Sequence, residues 1–226
     1  FEGDHNNHYR ILRSIKNRFG AVNEIGVFEM TNLGLKEVNN PSEVFLGDHN
    51  NDVCGSSIFA GIEGSRTVLI EIQSLISPSK MAMPRRSVIG WDSNRLSMII
   101  AVLAVRLGLN LSEYEVYLSV AGGIKINEPA ADLAVVASLL SAAYNTPLPP
   151  NSSFFGEVGL SGKLRKVTNI ESRIKESNKL GFKNIFCPFL SNSLFKKLSV
   201  DGKQVEYIGD LKSLFPGAKN KFYLNS

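Results

Sequence analysis

The sequence is poor in cysteine and histidine, and it lacks a hydrophobic run of membrane-spanning length. Its two cysteines, Cys54 and Cys187, are 133 positions apart, which excludes a disulfide framework or a CxxC metal motif and is typical of a reducing cytoplasm. His5 and His8 have neither cysteines nor an acidic cluster beside them, so we expect no metal site. The longest apolar run covers residues 98–105, whereas a transmembrane helix needs about 20 apolar residues. We therefore expect a cytoplasmic protein without membrane contact.

Positive charge is unevenly distributed along the chain. Residues 1–150 hold 12 Lys and Arg against 15 Asp and Glu, whereas residues 151–226 hold 13 against 6. A basic C-terminal third favours a polyanionic partner, although lysine-rich solvated helices have the same composition. With 43% hydrophobic and 20% charged residues, the 226-residue chain is typical of a globular protein with one large or two modest domains.

The first 52 residues predict a helix-poor unit. "FEG" reads as a strand, "YRILRSIKNRF" as an amphipathic segment and "EIGVFEM" as a second strand, after which a turn at 32–34 returns "LKEV" as a hairpin partner. "NNPSEVFL" is a turn followed by a short helical or extended piece. The polar stretch "GDHNNDVCGSS" lacks apolar periodicity, so we place a domain boundary between residues 52 and 53.

The second unit, 53–226, alternates strand and helix patterns and predicts an α/β domain of the mixed, α+β type. Its clearest helix covers 92–108, with Asp92 or Ser93 as its cap and Gly108 as its end; a second begins with Pro129 in its first turn. Residues 77–90 read as a long loop. We predict strands at 56–62, 66–76, 114–120, 154–160 and 183–188, and further helices at 128–144, 169–181, 192–198 and 210–215.

Five long motifs, in order over nearly the whole chain, resemble the bacterial RadA (Sms) family of recombination and repair ATPases. They are "KNRFG" at 16–20, "EIQSL", "PRRSVIGWDSNRLSMIIAVLAVR", "VAGGIKINEPAADLAV" and "GEVGLSGKLRKV". The resemblance implies a C-terminal fragment: the end of a RecA-like ATPase core, followed by a domain similar to the proteolytic domain of Lon. A phosphate-binding GxxxxGK[ST] motif is not found in these residues.

In this family the pentapeptide Lys16, Asn17, Arg18, Phe19 and Gly20 is the signature motif. In related hexameric helicases of DnaB type, a similar Lys-x-Arg reaches the ATP of the neighbouring subunit, which implies a trans-acting catalytic finger at Lys16 and Arg18. Such a cation raises phosphoryl transfer by about 10³–10⁵. Two alternatives stay open: a solvated strand end, and a grip on DNA phosphates in a ring channel.

The resemblance to Lon also predicts that the second domain is not a peptidase. Lon-type enzymes use a serine nucleophile and a lysine base. The matching positions here are Ala130, in "EPAAD", and Glu171, in "NIESR". A shifted dyad of Ser138 or Ser141 with Lys175 is the alternative, although both serines lie in an apolar helix.

Two basic clusters are candidate DNA contacts. Arg85, Arg86 and Arg95 lie around the start of one helix, where phosphates bind readily; a salt network between subunits is the alternative. The second cluster holds Lys163, Arg165 and Lys166, for which a solvated surface turn is the alternative. Trp91, between Arg86 and Arg95, reads as a buried residue, with an aromatic anchor as the alternative.

For the full-length protein the resemblance implies a DNA-dependent ATPase of helicase or branch-migration type. ATP and Mg²⁺ would be its cofactors, with zinc in an N-terminal finger, and the fragment alone would bind none of them and would be inactive. The implied partners are single-stranded and branched DNA, a RecA-type recombinase and five further copies in a homo-hexamer. A structural oligomerisation module without a DNA role is the alternative function.

Overall fold

The main structural feature of the chain is a seven-stranded mixed sheet. The computed structural model describes residues 9–13, 25–38, 40–46, 52–64, 66–188, 196 and 200–217. Within these ranges the strands are β1 (Tyr9–Arg13), β2 (Ile25–Thr31), β3 (Gly34–Glu37), β4 (Ser56–Glu63), β5 (Arg66–Pro78), β6 (Arg86–Ile89), β7 (Tyr114–Val120), β8 (Ser152–Phe154), β9 (Glu157–Val158), β10 (Leu164–Arg165), β11 (Asn184–Pro188) and β12 (Asp201–Val205). The helices are α1 (Pro41–Leu46), α2 (Ser93–Leu107), α3 (Asp132–Tyr144) and α4 (Ile170–Lys179), with 3₁₀ turns at Ala121–Gly123, Pro129–Ala131 and Ile208–Leu214.

The large sheet has the order β12-β11-β8-β4-β5-β7-β6. The pairs β4–β5 and β5–β7 are antiparallel, and the other four are parallel. A short turn connects β4 to β5, whereas β6 and α2 lie between the antiparallel neighbours β5 and β7. Parallel neighbours need long crossovers, and helices α2, α3 and α4 lie in such connections. The predicted α/β fold class is confirmed.

Helix α3 forms the centre of the core because it is apolar on all sides. Eleven of its thirteen residues are buried, and it packs on β4 and β5.

Helix α2 begins as predicted: the Asp92 carboxylate accepts a hydrogen bond from the Arg95 backbone N–H at 2.7 Å. It ends at Gly108, whose φ of 71° lies in the left-handed region that glycine adopts without strain.

A smaller three-stranded antiparallel sheet, β1-β2-β3, is formed by the N-terminal segment. The hairpin predicted between "EIGVFEM" and "LKEV" is confirmed as β2–β3, with Thr31 paired with Gly34. Helix α1 follows and packs on β5; Phe45 is fully buried, and the Ser42 hydroxyl accepts the Leu69 N–H at 3.1 Å.

Two sequence expectations need correction, and a third is made specific. Residues 86–89 of the expected loop form β6, because parallel pairing with β7 supplies backbone hydrogen bonds that no local pattern shows. The start of the amphipathic segment, "YRILR", is strand β1, since it pairs with β2. The strand expected over 154–160 is divided between β8 and β9, because the Gly156 backbone turns to bond the 3₁₀ turn before α3.

Two further expectations, the strand at "FEG" and the helix at 192–198, lie outside the described residues, apart from Lys196, which is helical. The closing helix at 210–215 is a 3₁₀ helix. Among the residues with described structure, no helix is long and apolar enough to cross a membrane.

Candidate functional site

Ala130 and Glu171, the two positions that the resemblance to Lon matches to a peptidase dyad, lie at the starts of two helices. Ala130 belongs to the 3₁₀ turn Pro129–Ala131 that leads into α3; it is 2% exposed, and its carbonyl accepts the Gly156 N–H at 2.8 Å. Glu171 lies in the first turn of α4 and forms an ion pair with Lys175 at 2.9 Å. A methyl group and a carboxylate cannot act as nucleophile and lysine base, so these two residues do not supply Ser-Lys chemistry.

A buried ion pair joins the two segments that hold these positions. Arg173, two residues after Glu171, is 0% exposed, and its guanidinium donates to both Glu128 oxygens at 2.5 and 3.2 Å. Glu128 lies two residues before Ala130, and its Oε1 also accepts the Ile62 N–H at 2.7 Å. The pair therefore ties the start of α3, the start of α4 and the end of β4 together.

The remaining donors of Arg173 are also committed to the fold. Its Nη1 donates to the Ala60 carbonyl at 2.5 Å, and its Nε donates to the Thr168 carbonyl at 3.0 Å. The guanidinium lies 5.8 Å from the ring centroids of Phe59 and Phe155, within the range of a cation–π contact. Every face of this buried charge is satisfied, so its role is structural rather than catalytic.

The serines of the alternative dyad are engaged in the core. Ser138 and Ser141 are 0% exposed. The Ser138 hydroxyl lies 2.7 Å from the Ser74 hydroxyl and donates to the Val135 carbonyl. The Ser141 hydroxyl accepts the Gly55 N–H at 2.9 Å and donates to the Thr146 carbonyl. Lys175, the proposed base, is 61% exposed and contacts Glu171 instead.

The first basic cluster separates into one exposed arginine and two that support the fold. Arg85 is exposed. Arg86 donates to the carbonyls of Tyr114 and, at 2.7 Å, Leu111. Arg95 makes a two-pronged ion pair with the fully buried Asp132, at 2.5 Å for each bond. Trp91 is buried, as expected, at 7% exposure.

The Arg95–Asp132 pair connects the starts of α2 and α3 with β9. The carboxylate of Asp132 also accepts the Val158 N–H at 2.9 Å. Burial raises the pKa of Asp132, while the hydrogen bond from Arg95 opposes that shift. The same hydrogen bond raises the pKa of Arg95. The bidentate contact uses Nε and Nη2 of Arg95, so the pair forms an internal anchor between the two helix starts.

The second basic cluster lies on the surface. Lys163 pairs with Glu206 at 3.4 Å and is 55% exposed. Arg165 pairs with Glu157 at 3.1 Å and is 67% exposed. Exposed pairs of this kind contribute about 0–1 kcal/mol each, so both cations remain able to turn towards an anionic partner. Lys166 is exposed beside them.

The KNRFG motif, Lys16–Gly20, lies outside the described residues, within the connection between β1 and β2. Its finger role therefore stays a prediction. No group of three or more His, Cys, Asp or Glu side chains suited to a metal ion occurs among the residues that the structure describes, a set that leaves out His5 and His8.

Sequence reasoning missed Glu128, Asp132 and Arg173. One signal was available for Glu128 and Asp132, which stand two positions from Ala130 at the start of an apolar helix; Arg173 lies in a polar helix, where the sequence gives no such signal. Buried charges are almost always paired, so charges in segments predicted to be buried indicate ion pairs even when their partners are unknown.

The chain is similar to several curated proteins that share one name, DNA repair protein RadA. The DNA repair protein RadA of Rickettsia bellii is 62% identical over 214 residues, which are 95% of this chain and 47% of that protein. The protein of the same name from Rickettsia prowazekii is 64% identical over 192 residues, covering 85% of this chain and 43% of the relative. The DNA repair protein RadA of Bacillus subtilis is 52% identical over 188 residues, which are 83% of this chain and 41% of that protein.

The chain thus spans about half the length of the curated relatives it matches. A family model described as subunit ChlI of Mg-chelatase matches residues 77–191, which include β6, both buried ion pairs and the two dyad positions.

Proposed function

Because the chain belongs to the family of the DNA repair protein RadA, and through residues 77–191 to the family described as subunit ChlI of Mg-chelatase, we propose that it is the C-terminal part of an ATP-dependent DNA motor. The motor acts in homologous recombination and DNA repair in the bacterial cytoplasm, beside a RecA-type recombinase. The observation that carries this proposal is the 62% identity over 95% of the chain.

In this proposal residues 53–226 form a Lon-like scaffold that assembles a hexameric ring and holds DNA, while residues 1–52 end the ATPase core. Support for a scaffold rather than a peptidase comes from Ala130 and Glu171, which have no nucleophile and no lysine base to offer. The fold around them is nevertheless complete, because the Glu128–Arg173 pair fastens both segments. A retained fold without catalytic groups favours a binding role.

The DNA contacts are assigned to the exposed cations Arg85, Lys163 and Arg165. Arg86 and Arg95 contribute indirectly, because their guanidinium groups hold the polypeptide on which Arg85 is presented. Phosphate contacts from such side chains would position the duplex or single strand without reading its sequence.

Salt dependence of DNA binding tests this assignment. Each phosphate contact releases counterions, so the variant Arg85→Ala/Lys163→Ala/Arg165→Ala should flatten the slope of log K against log salt by about 0.9 per lost contact on duplex DNA. Lys183→Ala, which removes an exposed lysine elsewhere, is the control and should change it little. An unchanged slope in the triple variant would remove these residues from the DNA interface.

In the full-length protein we propose ATP and Mg²⁺ as cofactors, zinc in an N-terminal finger, and Lys16 and Arg18 as trans-acting fingers. Contacts that strengthen as charge develops on the transferred phosphoryl group affect turnover more than nucleotide affinity. Arg18→Ala in the full-length protein should therefore abolish most ATP hydrolysis while ATP still binds.

Subunit mixing distinguishes a trans-acting finger from a residue that acts within its own subunit. Arg18→Ala subunits are mixed with subunits that lack the phosphate-binding lysine, each inactive alone. Mixed rings contain some interfaces with both an intact nucleotide site and an intact finger, so activity should partly return. No recovery in rings shown to be mixed would contradict the finger role, and simultaneous loss of DNA binding would move Lys16 and Arg18 to the DNA channel.

A second candidate function is an oligomerisation module without a DNA role. It is favoured by an open side of the sheet, where Leu75 and Ile89 are each 61% exposed and Val53 is 46% exposed. These three side chains line an apolar depression of about 310 Å³. Leu75→Ser/Ile89→Ser should dissociate the assembly by mass measurement in solution. Assembly without salt-dependent DNA binding in the unaltered chain would favour this candidate over the first.

A further inference from the structure

A polar cavity of about 590 Å³ lies away from the dyad positions, between the start of α1, the outer edge of β5 and the exposed side of α4. Three cationic side chains line it: Arg66 from β5, and Lys175 and Lys179 from α4. Glu176 is the only acidic residue among the described residues of its wall. The cavity therefore carries a net positive charge.

The floor of the cavity is a sheet edge that presents a backbone donor. The Gly64 turn makes Glu63–Arg66 the closing pair of the β4–β5 hairpin, so the next pair, Ile62–Thr67, has both N–H groups directed away from the hairpin. The Ile62 N–H does point away from the hairpin, because it donates to the Glu128 carboxylate rather than to β5. The outward N–H of Thr67 thus faces the edge of β5 that borders the cavity.

The next outward N–H on this edge of β5, that of Leu69, has a hydrogen-bond acceptor. Two residues along, the Leu69 N–H is satisfied by the Ser42 hydroxyl of α1. Among the described residues, none bonds the outward N–H of Thr67, and its Oγ1 is the one buried side-chain polar atom there without a hydrogen bond. The hydroxyl is enclosed, so the donor offered to an acceptor from outside the chain is the outward N–H, which borders the cavity as the Leu69 N–H borders Ser42.

The cations above this edge are available to such an acceptor. Among the described residues, none forms an ion pair or hydrogen bond with the Arg66 guanidinium. Lys175 and Lys179 pair with Glu171 and Glu176 of their own helix, at 2.9 and 3.3 Å, but both lysines are more than 60% exposed. Exposed intrahelical pairs of this kind are weak, so both ammonium groups can exchange partners.

We propose that this cavity is a phosphate-binding site, in which the edge N–H of Thr67 and the side chains of Arg66, Lys175 and Lys179 hold the phosphate oxygens. Backbone N–H groups combined with Arg and Lys are a usual donor set for phosphate. No aromatic residue is among the described residues that line the cavity, so a base is not stacked there. The ligand class is therefore a phosphate group, either from a nucleic-acid backbone or from a free nucleotide or inorganic phosphate.

The test follows the backbone amides of the 226-residue chain by ¹⁵N NMR during titration with inorganic phosphate, with chloride at matched ionic strength as the blank. The Thr67 amide should shift in a saturable way with phosphate only. Lys175→Gln/Lys179→Gln should weaken this binding by about tenfold, since two charge-assisted contacts are lost. Lys183→Gln, a control that removes an exposed lysine outside the cavity, should leave the affinity within twofold.

Two further titrations, with oligothymidylate and with ATP, identify the source of the phosphate. A Thr67 shift at lower concentration of the oligonucleotide assigns a nucleic-acid backbone, and one at lower concentration of ATP assigns a nucleotide. The site is refuted if no phosphate-bearing probe shifts Thr67, or if the double lysine variant, confirmed as folded by its thermal unfolding, binds as tightly as the control. The Arg85/Lys163/Arg165 variant should retain the Thr67 shift with inorganic phosphate, so failure of the DNA interface and failure of this site are distinguishable.

Discussion

Replacing Glu128 by alanine should destabilise the protein far more than the loss of an ordinary surface ion pair. Among the described residues, Glu128 is the only charged partner of Arg173, whose guanidinium is 0% exposed and bonds the carboxylate through two nitrogens. Removing one member of a buried pair leaves an uncompensated charge and costs about 3–5 kcal/mol. Since whole domains are stable by only about 5–15 kcal/mol, such a loss is easily measured.

The converse change, Arg173→Met, should cost less. It removes the buried charge itself, and the Glu128 side chain, 26% exposed, can be hydrated. The buried carbonyl of Ala60 loses its hydrogen bond, for which we expect about 1–3 kcal/mol, whereas Thr168 is exposed and its carbonyl can be hydrated. In the double variant there is no charge left to compensate, so its destabilisation should be well below the sum of the two single values.

Equilibrium urea unfolding, followed by the fluorescence of buried Trp91, measures all three variants. The matched control is Glu206→Ala, which removes the same residue type from the exposed pair with Lys163 and should cost less than about 1 kcal/mol. If Glu128→Ala costs no more than this control, or if the single and double values are additive, the buried pair does not hold the two helix starts as described.

Three further predictions concern other parts of the fold. Arg95→Gln leaves the buried carboxylate of Asp132 without its charged partner and should lower the unfolding free energy by about 3–5 kcal/mol in urea; a fall in DNA affinity at unchanged stability would show that Arg95 is a DNA contact instead. Burial raises the pKa of Cys187 to about 12, so iodoacetamide at mildly alkaline pH should label only Cys54 in the native protein. Because the unfolded chain releases the Cys187 thiol proton from about pH 9 and the folded chain does not, stability should also fall as the pH rises from about 9 towards 12, and labelling of both cysteines in the native state would contradict this burial. A serine-directed fluorophosphonate should label no residue, because Ala130 has no hydroxyl; stoichiometric labelling, located by mass spectrometry, would show that a nucleophile lies elsewhere.

The sequence by itself determined the features that depend on local chemistry. Helix α2 begins at an aspartate cap and ends at a glycine with positive φ because both signals act within one turn of the helix. The β4–β5 hairpin follows from two apolar runs around a short polar turn. The absence of a dyad at Ala130 and Glu171 also needs no coordinates, since a side chain without the required atom cannot perform the chemistry.

Only the tertiary structure decided which charges are internal. Arg95 and Asp132 are 37 positions apart, and Arg173 and Glu128 are 45 apart, so no local pattern connects them. Arg95, which the sequence places in a candidate phosphate-binding cluster, is paired with a buried carboxylate once α2 and α3 pack together. Strand β6 and the open edge at Thr67 also depend on the tertiary structure. Whether a backbone N–H or carbonyl group is hydrogen-bonded is decided by which strands and helices become neighbours in the folded sheet.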